Sequence, residues 1–434
     1  MGTAVAGALR ETFVIEGGCP LSGRVRASGN KNAALPILAA CVLTSEPVVL
    51  DNMPRIRDVE VMLDLLRSIG ADAEWTGRNE VRVHVEDVST ADLDEQLSRE
   101  IRASLLLAGP LLARCGRVAV PPPGGDVIGR RRIDTHIHAF EALGAHTTIG
   151  RRFELEGVLR GASLFLDEAS VTGTENAVMA ASLAAGETVI GNAACEPHVQ
   201  DLCRFLCSLG AEIDGVGSNV LRVRGVTRLG GGEYRLAADH IEVASFVGLG
   251  AVTPGEIVVD DVRADDLVAI TPVFDRLGVS MQVEGSTVRV PGGQRLVVRD
   301  DLGGQIPKID DGPWPAFPAD LTSIAVVLAT QAEGTVLIFE KMFESRLFFV
   351  DKLVRMGARI IVCDPHRVVV SGPSKLYGEQ MESPDIRAGM AMLIASLCAE
   401  GTSTIANIGQ IDRGYERIDD RLRGLGARIE RVES

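Results

Sequence analysis

Residues 209–223 read LGAEIDGVGSNVLRV, and the change of pattern inside this stretch recurs along the whole chain. A helical pattern ends at an apolar residue that is followed by a glycine and a small residue, and an alternating stretch then begins. The glycine suits a helix C-terminus because it adopts the left-handed conformation that closes the last turn. The alternation is typical of a strand with one solvated face. Six copies recur about every 70 residues, at Ile69-Gly70-Ala71, Leu143-Gly144-Ala145, Leu209-Gly210-Ala211, Leu277-Gly278-Val279, Met356-Gly357-Ala358 and Leu425-Gly426-Ala427.

A second phrase precedes each copy and has the composition of a buried strand that ends in a polar loop. Its six occurrences are residues 46–52, 116–120, 186–192, 255–261, 334–338 and 401–407. The repeated unit is therefore predicted to have a βαβαββ-like order. A period of about 70 residues is longer than the repeats of solenoids and propellers. The predicted fold is α/β (α+β), with two domains of three units each.

The composition is that of a globular protein and excludes several classes of partner. With 434 residues, 46% of them hydrophobic and 24% charged, the chain is long and apolar enough for two ordered domains. The net charge of −15 disfavours nucleic acid and anionic membranes as partners, because both require a broad basic face. The longest apolar stretches, such as 33–43 and 388–399, are shorter than the roughly 20 residues of a membrane span.

The first residues and the cysteines bear on the cellular compartment. The opening sequence MGTAVAGALRETF lacks the apolar core of a secretory signal, so a cytoplasmic location is expected. Eight cysteines without a CxxC pair favour reduced thiols over disulfides or a zinc site. His136 and His138 have no further ligands nearby, so no metal site is expected, and a structural or substrate contact is favoured there. A monomer is the default expectation.

Two stretches have the composition of anion-binding segments. Residues 121–136 read PPPGGDVIGRRRIDTH, and their three consecutive arginines match phosphate and carboxylate oxygens, which favours an anion site over a solvated basic turn. Residues 28–36 read SGNKNAALP and place Lys31 and Asn32 at the start of an apolar helix, where the helix dipole favours a phosphate. The second signal alone is weak, and the spacing of a P-loop is absent.

Three further segments combine carboxylates with arginines. Asp320 follows the proline-rich stretch 314–319 and precedes an apolar helix, so it could act on a reacting group or could simply cap that helix. Asp385 and Arg387 form one neighbouring acid–base pair, and Asp412 and Arg413 form another. For both pairs a local ion pair and a site role are equally compatible with the sequence.

The order and spacing of these stretches resemble the UDP-N-acetylglucosamine enolpyruvyl transferases of peptidoglycan synthesis and, more distantly, the enolpyruvyl transferase of the shikimate pathway. The resemblance extends over nearly the whole chain and rests on KNAALPIL, IRASLLLAGPL, PGGDVIG, SVTGTENA, NAACEP, PAFPADL, FESR, DIRAG and IDRGYERI. It implies that each domain is an inside-out α/β barrel of three units. The implied domains are 31–238, which carries a mobile loop at 121–131, and 1–30 together with 239–434.

The resemblance also implies a reaction. The enolpyruvyl group of phosphoenolpyruvate would be transferred to the 3-hydroxyl of UDP-N-acetylglucosamine, and phosphate would be released from a tetrahedral ketal, in the first committed step of peptidoglycan synthesis. Such an addition needs a proton at the methylene carbon and a base at the hydroxyl, so carboxylates suit the proton steps while Arg and Lys stabilise the charge. No metal or organic cofactor is required. The loop at 121–131 would close over the site and exclude water.

The same resemblance assigns site residues position by position. The implied catalytic residues are Lys31, Asp126, Asp320 and Arg413. Phosphoenolpyruvate would contact Lys31, Arg131 and Arg413, with Asn32, Arg102 and Arg387 nearby. The nucleotide would contact Arg131, Arg132, Ile133, Asp134, Thr135, Glu168, Ala169, Ser170 and Val171, with Met342 and Phe343 near the base. Arg346, Asp385 and Asp320 complete the implied substrate-binding set.

Asp126 is the most consequential departure from the family pattern, because many members have a cysteine at this position. An aspartic acid can donate the proton if burial raises its pKa, although the three adjacent arginines act in the opposite direction. We therefore expect that Asp126→Ala loses most turnover. Fosfomycin, which alkylates the family's cysteine thiol, is not expected to inactivate this chain covalently.

Smaller departures leave two other functions open. Asn30, Arg132 and His240 stand where the family usually has a small residue, a proline and an arginine. They would fit an enolpyruvyl transferase of secondary metabolism that acts on another uridine nucleotide such as UMP. A catalytically silent paralogue that binds a nucleotide and regulates cell-wall supply is the second alternative, although the retention of Lys31, Arg131, Asp320 and Arg413 argues against it.

Overall fold

Two units contain the residues that the computed structural model describes, 11–125 and 132–433. The central unit comprises residues 28–125 and 132–239, and the terminal unit comprises residues 11–27 and 240–433. Both ends of the chain therefore belong to the same unit.

The elements follow one another in the repeating order that the sequence predicts. Two strands of the terminal unit come first, β1 (Glu11–Glu16) and β2 (Gly23–Arg26). The central unit contains α1 (Lys31–Ala40), β3 (Val48–Asp51), α2 (Arg57–Ser68), β4 (Asp72–Trp75), β5 (Glu80–His84), α3 (Glu95–Glu100), α4 (Ala108–Cys115), β6 (Arg117–Val120), α5 (Asp134–Ala142), β7 (His146–Ile149), β8 (Phe153–Glu156), β9 (Ser163–Phe165), α6 (Val171–Ala181), β10 (Glu187–Gly191), α7 (Pro197–Ser208), β11 (Glu212–Asp214), β12 (Val220–Arg224) and β13 (Gly232–Arg235).

The terminal unit continues after residue 239 with the same kinds of element. It contains α8 (His240–Val252), β14 (Ile257–Asp260), α9 (Thr271–Arg276), β15 (Gln282–Glu284), β16 (Thr287–Val290), β17 (Lys308–Asp310), α10 (Thr322–Gln331), β18 (Gly334–Phe339), α11 (Val350–Arg355), β19 (Ile360–Asp364), β20 (Arg367–Gly372), β21 (Gln380–Glu382), α12 (Ile386–Cys398), β22 (Thr402–Ala406), α13 (Gly409–Asp412), α14 (Ile418–Gly424) and β23 (Arg428–Glu433). Short 3-10 turns lie at Cys41–Leu43, Arg102–Leu107, Ala264–Leu267, Ala319–Leu321 and Arg346–Phe349.

Among the described residues the strands form six open sheets, three in each unit. The sheets of the central unit have the orders β13-β3-β5-β4, β6-β8-β7 and β11-β12-β10-β9. Those of the terminal unit are β15-β16-β14-β2, β17-β18-β20-β19 and β21-β22-β1-β23. In five of them the first strand of the repeat lies between one parallel and one antiparallel neighbour.

The first two strands of the chain complete sheets whose other strands come much later in the sequence. β1 pairs antiparallel with both β22 and β23, and β2 pairs parallel with β14. Without them one sheet would lose an inner strand and another would lose an edge strand. This pairing explains why residues 11–27 belong to the terminal unit.

The glycine turns form as the sequence predicts. The six glycines of the repeated phrase have φ angles between 81° and 107°, which is the left-handed region. In each turn the residue after the glycine donates its N–H to the carbonyl five residues earlier, as from Ala211 to Leu206 at 3.0 Å. This bond satisfies a carbonyl at the helix end and turns the chain towards the next strand.

Three helices of the terminal unit and two of the central unit are almost completely buried. Every residue of α8 except Val252, of α10 except Gln331 and of α12 except Cys398 is buried, and these three helices pack against one another. In the central unit α1 and α6 are also buried along nearly their whole length. The predicted inside-out α/β fold with three repeats per unit is therefore confirmed. None of the described helices combines the length and the apolar character needed to cross a membrane.

An asparagine in the left-handed conformation ends the first strand of three repeats. Asn52, Asn192 and Asn407 have φ angles of 58°, 55° and 57°. Their side-chain amides donate to the carbonyls of Leu236, Leu166 and Ser383 at 3.1, 2.9 and 2.9 Å, respectively. Each of these carbonyls lies just beyond the neighbouring parallel strand. The asparagine therefore reverses the chain and ties two strands together at the same point.

We expect Asn192→Ala to lower the free energy of unfolding by about 2–3 kcal/mol, because it removes a hydrogen bond and places a Cβ-bearing residue other than Asn in the left-handed region. Asn192→Gly keeps the backbone conformation accessible and should cost about 1 kcal/mol. Urea unfolding of the two variants and the wild type measures both effects. Equal losses in the two variants would mean that the backbone conformation contributes nothing.

Candidate active site

Lys31 is the first residue of α1, at the helix start that the sequence predicts. The side chain of Asn30 caps the helix by accepting hydrogen bonds from the N–H groups of Asn32 and Ala33, at 2.9 and 3.3 Å. The Lys31 ammonium forms an ion pair with Asp58 at 2.9 Å, and their side chains are only 9% and 5% exposed. An ammonium group has three donors, so this pairing leaves it able to bind an anion as well.

A network around Asp167 holds the segment that precedes α5. The two carboxylate oxygens of Asp167 accept from the Thr135 hydroxyl at 2.7 Å and from the Arg132 guanidinium at 2.8 Å. Arg132 also contacts Asp134 at 3.2 Å, and its backbone carbonyl accepts from Arg102 at 3.2 Å. Hydrogen bonds from Thr135 and Arg132 lower the pKa of Asp167. The candidate residues Arg102, Arg132 and Thr135 are thus brought together in the central unit.

The candidate segment 168–171 leads into α6. The Ser170 hydroxyl caps this helix by accepting from the N–H of Gly173 at 3.2 Å, and the N–H of Ser170 donates to the carbonyl of Glu168 at 2.7 Å. Ala169 and Val171, like Ile133, are half-buried. The backbone at the start of α6 is therefore fixed by its own cap.

His136 connects the starts of α5 and α6 with the turn that contains Arg102. Its Nε2 lies 3.0 Å from the Thr172 hydroxyl, and its Nδ1 lies 2.9 Å from the Asn176 amide nitrogen. Asn176 also donates to the carbonyl of Leu105 at 3.0 Å. Burial and then the charge of Arg102 lower the pKa of His136 to about 3, so the ring is neutral. Of the two roles expected for His136, the structure supports the structural one.

Asp320 lies in the turn Ala319–Leu321 of the terminal unit and accepts from two arginines. Arg346 donates from Nη2 at 3.0 Å, and Arg387 donates from Nε and Nη2 at 3.0 and 2.9 Å. The two arginine side chains are 5% and 6% exposed, whereas that of Asp320 is 26% exposed. Among the described residues, no side chain caps α10, so the alternative of Asp320 as a simple helix cap is wrong.

Asp385 and Arg387 have different partners. Asp385 caps α12 by accepting from the N–H groups of Arg387 and Ala388 at 2.8 and 3.0 Å. Arg387 reaches Asp320 and also donates from Nη1 to the Tyr415 hydroxyl at 3.3 Å. Asp385 thus fixes the backbone of the arginine that contacts Asp320, and the two side chains do not form a pair of their own.

Arg413 follows the short helix α13 and donates to Gln410 at 3.0 Å. The neighbouring Asp412 accepts instead from Arg431, at 2.8 Å through each of its oxygens. The local ion pair between Asp412 and Arg413 that the sequence permitted is therefore wrong. Asp412 thus contacts Arg431 of β23, whereas Arg413 contacts Gln410.

Residues 341–346 form a loop that follows β18 and ends at Arg346. The N–H of Phe343 donates to the Glu340 carboxyl at 3.1 Å, and the Arg346 guanidinium lies 5.1 Å from the centre of the Phe343 ring. The side chain of Met342 is 40% exposed. The candidate residues Met342, Phe343 and Arg346 are thus held on one short loop.

His240 begins α8 and is buried, with its ring 6.1 Å from that of Trp314 in an edge-to-face arrangement. Burial and then the charge of Arg387 lower the pKa of His240 to about 3. A neutral ring therefore occupies the position where the family usually has an arginine.

Two of the predicted site residues, Asp126 and Arg131, lie outside the described residues. Sequence reasoning also missed three carboxylates that the structure places beside candidate residues: Asp58, Asp167 and Glu340. Asp58 follows the polar loop after β3, and Asp167 immediately precedes Glu168, so their position after strands was the signal available in the sequence.

A family profile described as EPSP synthase (3-phosphoshikimate 1-carboxyvinyltransferase) matches residues 15–422 of this chain. The chain belongs to the EPSP synthase family. The matched residues include five of the six glycine phrases and end just before the sixth, at Leu425-Gly426-Ala427.

Several relatives in the EPSP synthase family are similar over nearly their whole length and have the same name, UDP-N-acetylglucosamine 1-carboxyvinyltransferase. The protein from Bradyrhizobium diazoefficiens is 58% identical, over 97% of this chain and 98% of its own. That from Treponema denticola is 55% identical, over 97% of this chain and 99% of its own. The resemblance inferred from the motifs is confirmed.

Solved structures of the EPSP synthase family share the fold. The enolpyruvyl transferase NikO from Streptomyces tendae has a TM-score of 0.88 at 24% identity, covering 98% of this chain and all of its own. An EPSP synthase from Acinetobacter baumannii has a TM-score of 0.75 at 18% identity, with the same coverage. At these identities the likeness concerns the fold alone.

We expect Asp58→Asn to lower the free energy of unfolding by about 3 kcal/mol, because it leaves the buried Lys31 ammonium without its carboxylate. The matched control is Asp64→Asn on the same helix, which removes an exposed pair with Arg67 and should cost less than about 1 kcal/mol. Urea unfolding with and without inorganic phosphate is the measurement. If Lys31 binds anions, phosphate should stabilise Asp58→Asn more than the wild type, and equal stabilisation would contradict that role.

Proposed function

We propose that this chain transfers the enolpyruvyl group of phosphoenolpyruvate to the 3-hydroxyl of UDP-N-acetylglucosamine and releases phosphate. The observation that carries this proposal is the 58% and 55% identity, over nearly complete chains, with relatives named for this activity. Such an enzyme would act in the cytoplasm in the first committed step of peptidoglycan synthesis. We propose that the chain acts as a monomer.

The proposed base is Asp320. The reaction begins when the acceptor hydroxyl loses its proton to a base and its oxygen bonds to C2 of phosphoenolpyruvate, while C3 gains a proton. Asp320 suits the first of these roles because it is a partly exposed carboxylate that Arg346 and Arg387 hold in place. The same guanidinium groups supply positive charge next to the reacting anion.

The phosphate and carboxylate of phosphoenolpyruvate need cations. We assign this role to Lys31, Arg102, Arg131, Arg387 and Arg413, with Asn32 close to Lys31 at the start of α1. Lys31 is supported by its place at a capped helix N-terminus, where backbone N–H groups and the helix dipole also favour an anion.

The nucleotide is assigned to segments whose backbones are well anchored. Arg132 to Thr135 are held by Asp167, and Glu168 to Val171 lead into the capped start of α6. Met342 and Phe343 are assigned to the base, and Phe343 already packs against the guanidinium of Arg346. Fixed backbone at these segments reduces the conformational entropy lost on binding.

The second half of the reaction restores the double bond. C3 loses a proton and phosphate leaves C2 of the tetrahedral ketal, which gives the enolpyruvyl ether and inorganic phosphate. We assign the proton at C3 to Asp126, whose carboxylic acid stands in place of the thiol of many family members. The relatives favour this activity over the two alternatives, a transferase acting on UMP and a silent paralogue.

We expect the purified protein to release phosphate from phosphoenolpyruvate with UDP-N-acetylglucosamine but not with UMP, and to give a product heavier by one enolpyruvyl group in mass spectrometry. Asp320→Asn should reduce kcat by about 10²–10⁴-fold, because it removes the base but keeps the size of the side chain. Asp310→Asn is the matched control and should be near wild type, because Asp310 is a carboxylate of similar exposure ten residues earlier that pairs with Lys308 and Lys341 instead. Release with UMP alone, or with neither acceptor, would overturn the proposal.

Fosfomycin tests the assignment of Asp126. We expect no covalent adduct on the wild-type chain in intact mass spectra, because a carboxylate replaces the thiol that the inhibitor alkylates. Asp126→Cys should gain an adduct and be inactivated, and Asp126→Ala should lose most turnover without gaining one. An adduct on the wild type, or full activity of Asp126→Ala, would remove Asp126 from the mechanism.

A further inference from the structure

Two buried carboxyl groups lie close to Arg346. Glu340 and Asp311 are 0% and 2% exposed, and they lie at the ends of the neighbouring parallel strands β18 and β17. One oxygen of each is bonded to backbone: Asp311 Oδ1 accepts from the N–H of Lys341, and Glu340 Oε1 accepts from the N–H of Phe343 at 3.1 Å. Within the described part of the chain, the other two oxygens, Asp311 Oδ2 and Glu340 Oε2, accept no hydrogen bond from a donor group.

The backbone contacts bring the two carboxyl groups together, since Asp311 Oδ1 accepts from the N–H of the residue that follows Glu340. Carboxylates have no donor when both are ionised, so a hydrogen bond between their remaining oxygens requires one proton. Two neighbouring buried carboxylates that were both ionised would also repel each other strongly. Burial and then the hydrogen bond with Asp311 raise the pKa of Glu340 to about 9.

The position of this pair in the repeat is informative. Glu340 follows the last residue of β18 just as Asn52, Asn192 and Asn407 follow the first strands of their repeats. In those repeats the asparagine donates to a carbonyl beyond the parallel strand. At Glu340 the N–H of Lys341 donates to Asp311, and a direct bond between the two carboxyl groups is possible only with a proton.

The pair is in contact with two parts of the proposed site. Through Glu340 Oε1 it holds the backbone of Phe343, which we assign to the nucleotide base. Glu340 Oε2 also lies 3.9 Å from Nε of Arg346, whose Nη2 donates to Asp320 at 3.0 Å. With one shared proton the pair has a charge of −1, which leaves Arg346 to orient Asp320. With no proton its charge of −2 would compete with Asp320 for Arg346.

We propose that Asp311 and Glu340 share a single proton and act as positioning residues that hold Arg346 on Asp320 and the 342–343 segment in its binding conformation. The effect on turnover rests on the proposed function, whereas the shared proton does not. No substrate atom is assigned to either carboxyl group.

The other charged and titratable groups around the pair come from every neighbouring element. Asp310, the residue before Asp311, forms ion pairs with Lys308 and Lys341. Thr322 of α10 interacts with Glu340. His366 contacts the backbone of Glu340, with its Nδ1 2.7 Å from the carbonyl oxygen. Arg346 is the one of these groups that faces the carboxyl oxygens of the pair as a buried cation.

Infrared spectroscopy tests the proton without any assay of activity. At neutral pH, difference spectra should show the carbonyl band of a protonated carboxylic acid in the wild type that is absent from both Asp311→Asn and Glu340→Gln. Asp310→Asn is the matched control and should keep the band. Absence of the band from the wild type, or its persistence in both variants, would overturn the shared proton even if the enzyme is active.

Stability against pH gives a second test of the shared proton. Because the pKa of Glu340 is higher in the folded chain than its usual 4.5, the folded state binds the extra proton. The resulting stability is present below the unfolded pKa and is lost as the pH rises through about 9. In Asp311→Asn the urea midpoint should therefore fall less between pH 4.5 and about pH 9 than it does in the wild type. An identical slope in both proteins would contradict the proposal.

Kinetics test the positioning role. Asp311→Ala removes the group that shares the negative charge of the pair, so Glu340 holds the whole charge beside Arg346 and competes with Asp320; kcat should fall about tenfold and KM for UDP-N-acetylglucosamine should rise, while Asp311→Asn, which can donate to Glu340, should stay within about twofold of wild type. If Asp311→Ala behaves like Asp310→Asn, the positioning role is wrong. If the wild type itself releases no phosphate, the proposed function fails, whereas the infrared and stability tests still decide the shared proton.

Discussion

Each unit is organised around helices that have no hydrophilic face. An amphipathic helix can lie on a surface, but α8, α10 and α12 are buried on every side apart from their last residues and must be enclosed. One four-stranded sheet covers only part of such a helix group, so three sheets are needed for each unit. This requirement accounts for the return of β1 and β2 from the start of the chain to sheets formed by its end. The limits expected for the two domains, 31–238 and 1–30 with 239–434, remain a proposal.

The same burial explains why candidate site residues gather where helices begin. Lys31 begins α1, Ser170 caps α6 and His240 begins α8, while Asp320 and Arg387 stand at the starts of α10 and α12. The first N–H groups of a helix have no partner within it, and in a buried helix water screens the dipole little. Caps and charged side chains must satisfy these ends. An anionic substrate can use the same groups, so a structural need and a binding function coincide there.

Much of the fold could be predicted from the sequence because the signals that end its helices and begin its strands are local. A left-handed glycine, the apolar residue before it and the alternation after it lie within a few residues, and Lys31 at a helix start was equally local. Pairings between repeats could not be predicted. Asp412 stands next to Arg413 in sequence, yet Arg431 of β23 is its partner. Asp320 receives Arg346 and Arg387 from two later stretches of the chain, and neither pairing has a signal in the spacing of the residues.

The residue that follows the first strand differs between the repeats, and it is a carboxylic acid in the repeat that contains Asp320. After the first strand, three repeats have an asparagine that donates to a carbonyl, and this link is neutral and independent of pH. The fourth has Asp261, which pairs with Arg26 of the parallel strand β2 at 2.9 Å. The fifth has Glu340, which cannot donate unless it is protonated and which lies beside Arg346. A position that joins strands through an asparagine in three repeats thus bears a carboxyl group in the repeat that contains Asp320. Asn52, Asn192, Asp261 and Asn407 have positive φ angles and Glu340 does not, so both the backbone and the side chain differ at this repeated position.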